Sequence, residues 1–113
     1  MDNIRFAEVL DETLNKCVET LGTKADEYAT EDRLHNFKVA AEIQNCTPFT
    51  ALAGMMAKHT VSVYDLIQKV ENGLVVTEDM WNEKIGDHIN YLILLKALVA
   101  EQFDRYKELD NGR

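Results

Sequence analysis

The sequence is poor in the residues that interrupt helices, with one proline and five glycines among 113 residues. Between these few interruptions the apolar residues recur at steps of three and four, which is the period of an amphipathic helix. No internal repeat, low-complexity tract or linker divides the chain. The sequence therefore predicts an all-α fold, a four-helix bundle-like single domain over residues 1–113 with a long C-terminal helix.

Cysteine and histidine are also scarce. Cys17 and Cys46 lie within helical patterns without a CxxC spacing, so we expect reduced thiols rather than a disulfide. The three histidines have no partner at metal-ligand spacing, which argues against a zinc site. The chain has no glycine-rich phosphate loop, GxSxG or HExxH motif. Any chemistry would then be metal-assisted attack by water.

Basic residues are few, twelve against twenty acidic ones, and the net charge of -8 repels polyphosphate backbones and anionic membrane surfaces. We therefore expect no nucleic-acid and no membrane partner. No segment approaches the ~20 apolar residues of a membrane span, and no signal-peptide run opens the sequence. These features predict a cytoplasmic protein. The negative charge does not exclude small phosphorylated ligands, because a cation held by carboxylates makes the local electrostatic potential positive.

Caps and periodicity predict four helices. Their expected bounds are Asp2 to Ala29, Thr30 to Gln44, Pro48 to the stop at Asn72-Gly73, and Thr77 to Leu109. The third has the strongest signals, because Thr47 can act as its N-cap and Pro48 suits its first position. The fourth would be about 50 Å long, more than a small bundle needs, so it bends or projects into a partner chain. A chain this short commonly buries a face in a homo-oligomer.

Two acidic side chains of the fourth helix stand where apolar residues are expected. Met80 and Tyr91 belong to an apolar stripe of this helix, and Asp87 occupies the position of that stripe between them. Glu83 lies one turn earlier on the same side. A buried carboxylate is costly unless it is paired, protonated or bound to a cation. The spacing of the two residues suits a shared divalent cation.

The alternative to a metal site is a purely structural role for this acidic pair. Either carboxylate can form an ion pair with Lys24, Lys58 or Lys84, and such pairs would only orient the helices relative to one another. Gly86 lies between the two acids, and a glycine inside a helix costs about 1 kcal/mol relative to alanine. We therefore expect another group to approach the Gly86 backbone closely.

Asparagine inside a helix is mildly unfavourable, and Asn36 and Asn90 are both predicted at such positions. Each can contact a base or sugar, or can simply satisfy a buried polar neighbour. His59 interrupts the apolar stripe of the third helix, where a satisfied core histidine is the alternative to a ligand contact. Its neighbour Lys58 can be a ligand-binding residue, or it can simply be an ordinary lysine whose ammonium group extends into solvent.

The segment from Glu83 to Leu92, EKIGDHINYL, resembles the EEIGDxxxYL helix of the MazG-like all-α nucleoside triphosphate pyrophosphohydrolases. Three shorter segments resemble small phage and prophage proteins related to that superfamily. These segments are KxxEYA from Lys24 to Ala29, NFKxAA from Asn36 to Ala41, and the pair Lys58-His59. Together the similar segments span roughly residues 24 to 95.

The resemblance implies a four-helix, usually dimeric or tetrameric protein that binds Mg²⁺ and cleaves an NTP or dNTP to the monophosphate and pyrophosphate. Glu83 and Asp87 match the positions of catalytic and metal-binding carboxylates in that family. On this hypothesis Lys58 neutralises phosphate, and another polar residue contacts the nucleotide. The residues considered for that contact are Asn36, His59 and Asn90.

The sequence also differs from the family pattern. Lys84 stands where the family's second acidic motif has a glutamate, and the first motif, E-x-x-E, has no match. A second hypothesis is therefore a non-enzymatic phage or bacterial interaction protein, whose acidic surface and long last helix bind another protein.

Overall fold

The computed structural model of the protein describes residues 1–27 and 32–111. Its described residues form helices and no strand, which confirms the predicted all-α fold with a long C-terminal helix. The helices are α1 (Asn3–Glu27), α2 (His35–Gln44), α3 (Pro48–Glu71) and α4 (Glu78–Asn111). None of them is both long enough and apolar enough to cross a lipid bilayer. The predicted end of α1 at Ala29 lies outside the described residues.

Helix α3 begins and ends where its sequence signals predict. The Thr47 hydroxyl accepts a hydrogen bond from the backbone N–H of Thr50 at 3.2 Å, and Pro48 occupies the first turn. Beyond the C-cap at Asn72, Gly73 has a φ of 80°, in the left-handed region that glycine adopts without a steric cost. Local capping chemistry is therefore enough to set both ends of this helix.

Helix α4 follows the same logic at its start, because the Thr77 hydroxyl accepts a hydrogen bond from the Met80 N–H at 3.2 Å. Glu78 and Asp79 lie in its first turn, where negative charge favours the positive end of the helix dipole. The helix continues to Asn111, within two residues of its predicted end.

The predicted start of α2 is wrong. The helix begins at His35, whereas residues 33–34 form a turn, and the proposed cap Thr30 lies outside the described residues. The Asp32 carboxylate accepts a hydrogen bond from the Leu34 N–H at 2.9 Å. This local bond offers the backbone an alternative to the helix, and it delays the helix start by one turn. The end at Gln44 is as predicted.

Helices α2, α3 and α4 surround a small apolar core. Its buried members are Leu34, Phe37, Leu52 and Leu98. Partly buried side chains of α3 and α4, Met56 and Leu94 among them, pack against this cluster. Burying each of these large side chains stabilises the fold by about 1.5–3 kcal/mol.

Ion pairs of Lys38 connect the start of α2 to α4. The Lys38 ammonium donates to Asp32 Oδ2 at 2.6 Å and to Glu101 Oε2 at 3.0 Å. The hydrogen bond from Lys38, followed by that from the Leu34 N–H, lowers the pKa of Asp32. The same partners, Asp32 first, raise the pKa of Lys38.

Helix α1 packs beside α4, and its Leu21 carbonyl also accepts a hydrogen bond from the Arg33 guanidinium, just before α2, at 3.1 Å. Among the described helices, its backbone approaches closely only that of α4. Cys17 is buried on this side of α1, and burial raises the pKa of its thiol. The molecule is therefore elongated, with extents of 58 × 34 × 26 Å and a radius of gyration of 17.5 Å. A compact domain of this length has a radius of gyration of about 13 Å.

The N-cap of α3 provides a test of the capping argument. Thr47→Ala removes the hydroxyl acceptor, and we expect the free energy of unfolding to fall by about 1 kcal/mol. Urea denaturation measures the change. Thr47→Ser keeps an acceptor and should retain most of the stability, so equal losses in both variants would contradict the capping role.

The Lys38 cluster predicts a pH dependence. Because the pKa of Asp32 is lowered, its stabilising contribution is present above the ordinary aspartate value of 3.8 and is lost as the pH falls through the lowered value. We expect the unfolding free energies of wild type and Lys38→Met to converge as the medium is acidified through this range. Lys107→Met, at the exposed end of α4, is the control and should keep a constant offset from wild type. A Lys38→Met offset that does not change with pH would contradict the assignment.

Candidate functional site

A groove of about 710 Å³ lies between α1 and α4. Five carboxylates line it against two basic side chains, so its walls favour cations. The carboxylates are those of Glu12, Glu78, Asp79, Glu83 and Asp87, and the basic residues are Arg5 and Lys16. Both carboxylates selected from the sequence thus face one cavity.

Glu83 and Asp87 each lie near a different basic side chain. Asp87 Oδ2 lies 3.8 Å from His59 Nδ1, and Glu83 Oε1 lies 3.9 Å from Lys84 Nζ. The Asp87 side chain is 38% exposed, so it is only partly desolvated. Among the described residues, no three or more histidine, cysteine or acidic side chains are grouped to hold a metal ion. The side chain of Lys24, a predicted partner, lies outside the described part of the chain.

His59, on α3, lies next to Asp87 but is not among the residues that line the groove. Its ring stacks on that of Tyr91, with centroids 4.6 Å apart and planes at 29°. Tyr91 in turn makes an edge contact with the core residue Phe37 at 6.4 Å. Packing against Tyr91 therefore holds the imidazole in place, and the imidazole stands where it can orient the Asp87 carboxylate.

Asn90 is the most informative residue of the groove. It is 9% exposed, and it is the buried polar residue among those described. Its side-chain oxygen Oδ1 is buried and has no hydrogen-bond partner among the described residues, and the residue lines the groove. Leaving such an acceptor unpaired costs about 1–3 kcal/mol. A ligand that brings an N–H or O–H group into the groove would satisfy it.

The close approach expected at Gly86 is wrong within the described structure. A Cβ built on Gly86 would meet no protein atom within 4 Å. Gly86 instead lines the groove between Glu83 and Asp87, so the missing side chain leaves the backbone open to the cavity.

The remaining predicted site residues lie elsewhere. Lys58 is exposed on α3 and Asn36 is exposed on α2, and neither lines the groove. The structure thus brings Glu83, Asp87 and Asn90 together and leaves Lys58 and Asn36 apart from them. Sequence reasoning did not select the α1 residues of the groove, whose basic members are Arg5 and Lys16, because their charges are ordinary for an exposed helix surface.

Replacing Asn90 tests whether its amide is retained for a ligand. Asn90→Leu removes the unpaired oxygen while keeping the same heavy-atom branching, and we expect the ligand-free protein to become more stable by roughly 1 kcal/mol. Thermal and urea unfolding measure the change. Asn82→Leu, at an exposed position of the same groove, is the control and should not stabilise. A large loss of stability in Asn90→Leu would show that the amide is structural.

Comparison of the chain with protein-family models, with curated proteins and with solved structures gives no match.

Proposed function

We propose that the groove between α1 and α4 binds a nucleotide, or another small phosphorylated ligand, together with Mg²⁺. The observation that carries the proposal is the side-chain oxygen of Asn90, which is buried without a partner among the described residues, in a residue that lines the groove. Bases and sugars carry the amino and hydroxyl donors that such an oxygen needs. Asp87 lies one turn and Glu83 two turns before Asn90 on the same wall, so a single ligand can reach all three.

The donor chemistry of the groove fits Mg²⁺. This ion is usually held by one or two carboxylates, with phosphate oxygens and water as its other ligands. Glu83 and Asp87 would supply those carboxylates. A cation there also offsets the repulsion between a phosphate chain and the other acidic residues of the groove. Arg5 and Lys16, on the opposite wall, would contact phosphate in the role first considered for Lys58.

The enzymatic form of the proposal is Mg²⁺-dependent hydrolysis of an NTP or dNTP to the monophosphate and pyrophosphate. Its support is the resemblance of the segment from Glu83 to Leu92 to the MazG-like helix, together with the placement of Glu83 and Asp87 in the groove. In this reaction His59 acts as a positioning residue, because it contacts Asp87 and not the groove.

The test combines binding and turnover. The protein is mixed with Mg²⁺ and each NTP or dNTP, and both the melting temperature and the release of pyrophosphate are measured. We expect the correct nucleotide to raise the melting temperature through linkage and to release pyrophosphate. Asp87→Asn should lose both effects, whereas Asp104→Asn, an exposed acid elsewhere on α4, should keep them.

A thermal shift without pyrophosphate would retain the binding site and refute the enzymatic form. No thermal shift and no turnover with any nucleotide would refute both. The non-enzymatic interaction protein is then the surviving function, and the observation that favours it is the exposed apolar surface of α1 and α4. It predicts that Asp87→Asn alters stability or assembly and no reaction rate.

A further inference from the structure

Three carboxylates of α4 follow one another along the groove at equal steps. They belong to Asp79, Glu83 and Asp87, which lie four residues apart in the sequence and all line the groove. Residues four apart lie on the same face of a helix, and four residues advance the helix by about 6 Å. We refer to these three residues as the carboxylate ladder of α4.

The ladder leads from the exposed end of the groove to a buried end. Asp79 is exposed, and the side chains of Glu83 and Asp87 are 59% and 38% exposed. Asn90, one turn beyond Asp87, is only 9% exposed, and its Oδ1 has no hydrogen-bond partner among the described residues. The terminal torsion of asparagine is broad, so a small rotation of the amide turns this oxygen toward a ligand in the groove. The ladder therefore ends at a buried acceptor that lacks a donor.

The ladder carboxylates keep their capacity to accept hydrogen bonds. Lys84 Nζ lies 3.9 Å from Glu83 Oε1, and His59 Nδ1 lies 3.8 Å from Asp87 Oδ2. Both separations are longer than a hydrogen bond. A ligand with N–H donors can therefore bind these oxygens without displacing a protein donor.

The basic residues of the opposite wall do not neutralise the groove. Arg5 Nη1 donates to Glu8 Oε2 at 2.8 Å and lies 3.9 Å from Glu12 Oε1. Arg5 and Lys16 are the two basic side chains that line the groove, against five carboxylates. The groove therefore carries a net negative charge and attracts a ligand with several positive charges.

One metal ion does not engage the whole ladder. Mg²⁺ holds its ligands at about 2.0–2.1 Å, whereas successive ladder positions lie about 6 Å apart along the helix. Among the described residues, no three histidine, cysteine or acidic side chains are grouped to hold a metal ion. An extended polycation, in contrast, can meet the carboxylates one after another.

An aliphatic polyamine has the required spacing. An extended chain advances by about 1.2 Å per bond, so four methylenes place neighbouring nitrogens about 6 Å apart. Like the ammonium group of lysine, each charged nitrogen donates hydrogen bonds and accepts none. Val9 and Ile85 also line the groove and offer apolar contacts to the methylenes. The cavity of about 710 Å³ lies within the range of about 300–1,000 Å³ that is usual for small-molecule sites.

We propose that the groove binds a linear aliphatic polyamine along the carboxylate ladder, with a terminal ammonium group at Asn90. This inference does not rest on the proposed function, because the polyamine needs neither Mg²⁺ nor phosphate. It has a consequence for that function, since a polyamine on Glu83 and Asp87 competes with Mg²⁺ for the same carboxylates.

Isothermal titration calorimetry of the full chain, without Mg²⁺ or nucleotide, tests the proposal. The probe is a linear triamine with four methylenes between neighbouring nitrogens. We expect one triamine to bind per chain and to raise the melting temperature. A triamine with six methylenes in each spacer has the same number of nitrogens and more apolar surface, but places its nitrogens about 8 Å apart. It should bind more weakly.

Variants locate the binding. Asp87→Asn and Asn90→Leu should each weaken the affinity by about tenfold or more, because each removes an acceptor from a charged donor. Asp104→Asn and Asn36→Leu make the same changes at exposed positions outside the groove and should keep the wild-type affinity. Circular dichroism of each variant checks that it is folded.

Equal weakening by Asp87→Asn and Asp104→Asn would overturn the proposal, since the triamine would then respond only to net charge. Equal affinity for the two triamines, or no binding of either, would also overturn it. A nucleotide response without triamine binding would refute this inference and retain the proposed function. Triamine binding without any nucleotide response would do the reverse.

Discussion

The packing of α4 on two different sides is the constraint on which the rest of the structure depends. One side carries Leu98 and Tyr91 toward the core shared with α2 and α3, and another side meets α1. A helix that is apolar around much of its circumference must be covered on more than one side. The polar residues Glu83, Asp87 and Asn90 lie at the seam between these packed sides, and this is why they line a groove instead of facing open solvent.

The energies at this seam favour a ligand site over a purely structural cluster. The pairs Asp87–His59 and Glu83–Lys84 are long and partly exposed, and exposed pairs contribute about 0–1 kcal/mol. The side chains of Asp87 and Glu83 are 38% and 59% exposed, so water solvates both carboxylates and neither needs an ion pair to occupy its position. Leaving the buried Asn90 oxygen unpaired costs more free energy than either ion pair contributes, because no donor in the described part of the chain reaches it. A ligand donor would recover that cost, and a cation would use the acidic wall beside it.

Helix α1 is the element on which the shape of the groove depends. It supplies one wall of the groove, yet among the described helices its backbone closely approaches only that of α4. Local opening of a weakly attached helix requires little free energy, which makes α1 the element whose stability most affects the site.

The sequence by itself determined the helices and most of their ends. Thr47, Pro48, Gly73 and Thr77 act through hydrogen bonds and backbone preferences within a few residues, and such local signals are readable without a fold. The start of α2 was missed because the Asp32 side chain competes with the helix, and the sequence alone does not rank these two local options. The acidic pair and Asn90 were found because each breaks a helical pattern.

Only the tertiary structure decided which of these anomalies meet. Lys58 is adjacent to His59 in the chain, yet it lies outside the groove, whereas Arg5 and Lys16 from the distant α1 line it. The side of α1 that faces α4 depends on packing between two helices whose nearest ends, Glu27 and Glu78, are far apart in the chain. When two helices are apolar on several sides, periodicity does not select one of them, and long-range contacts make that choice.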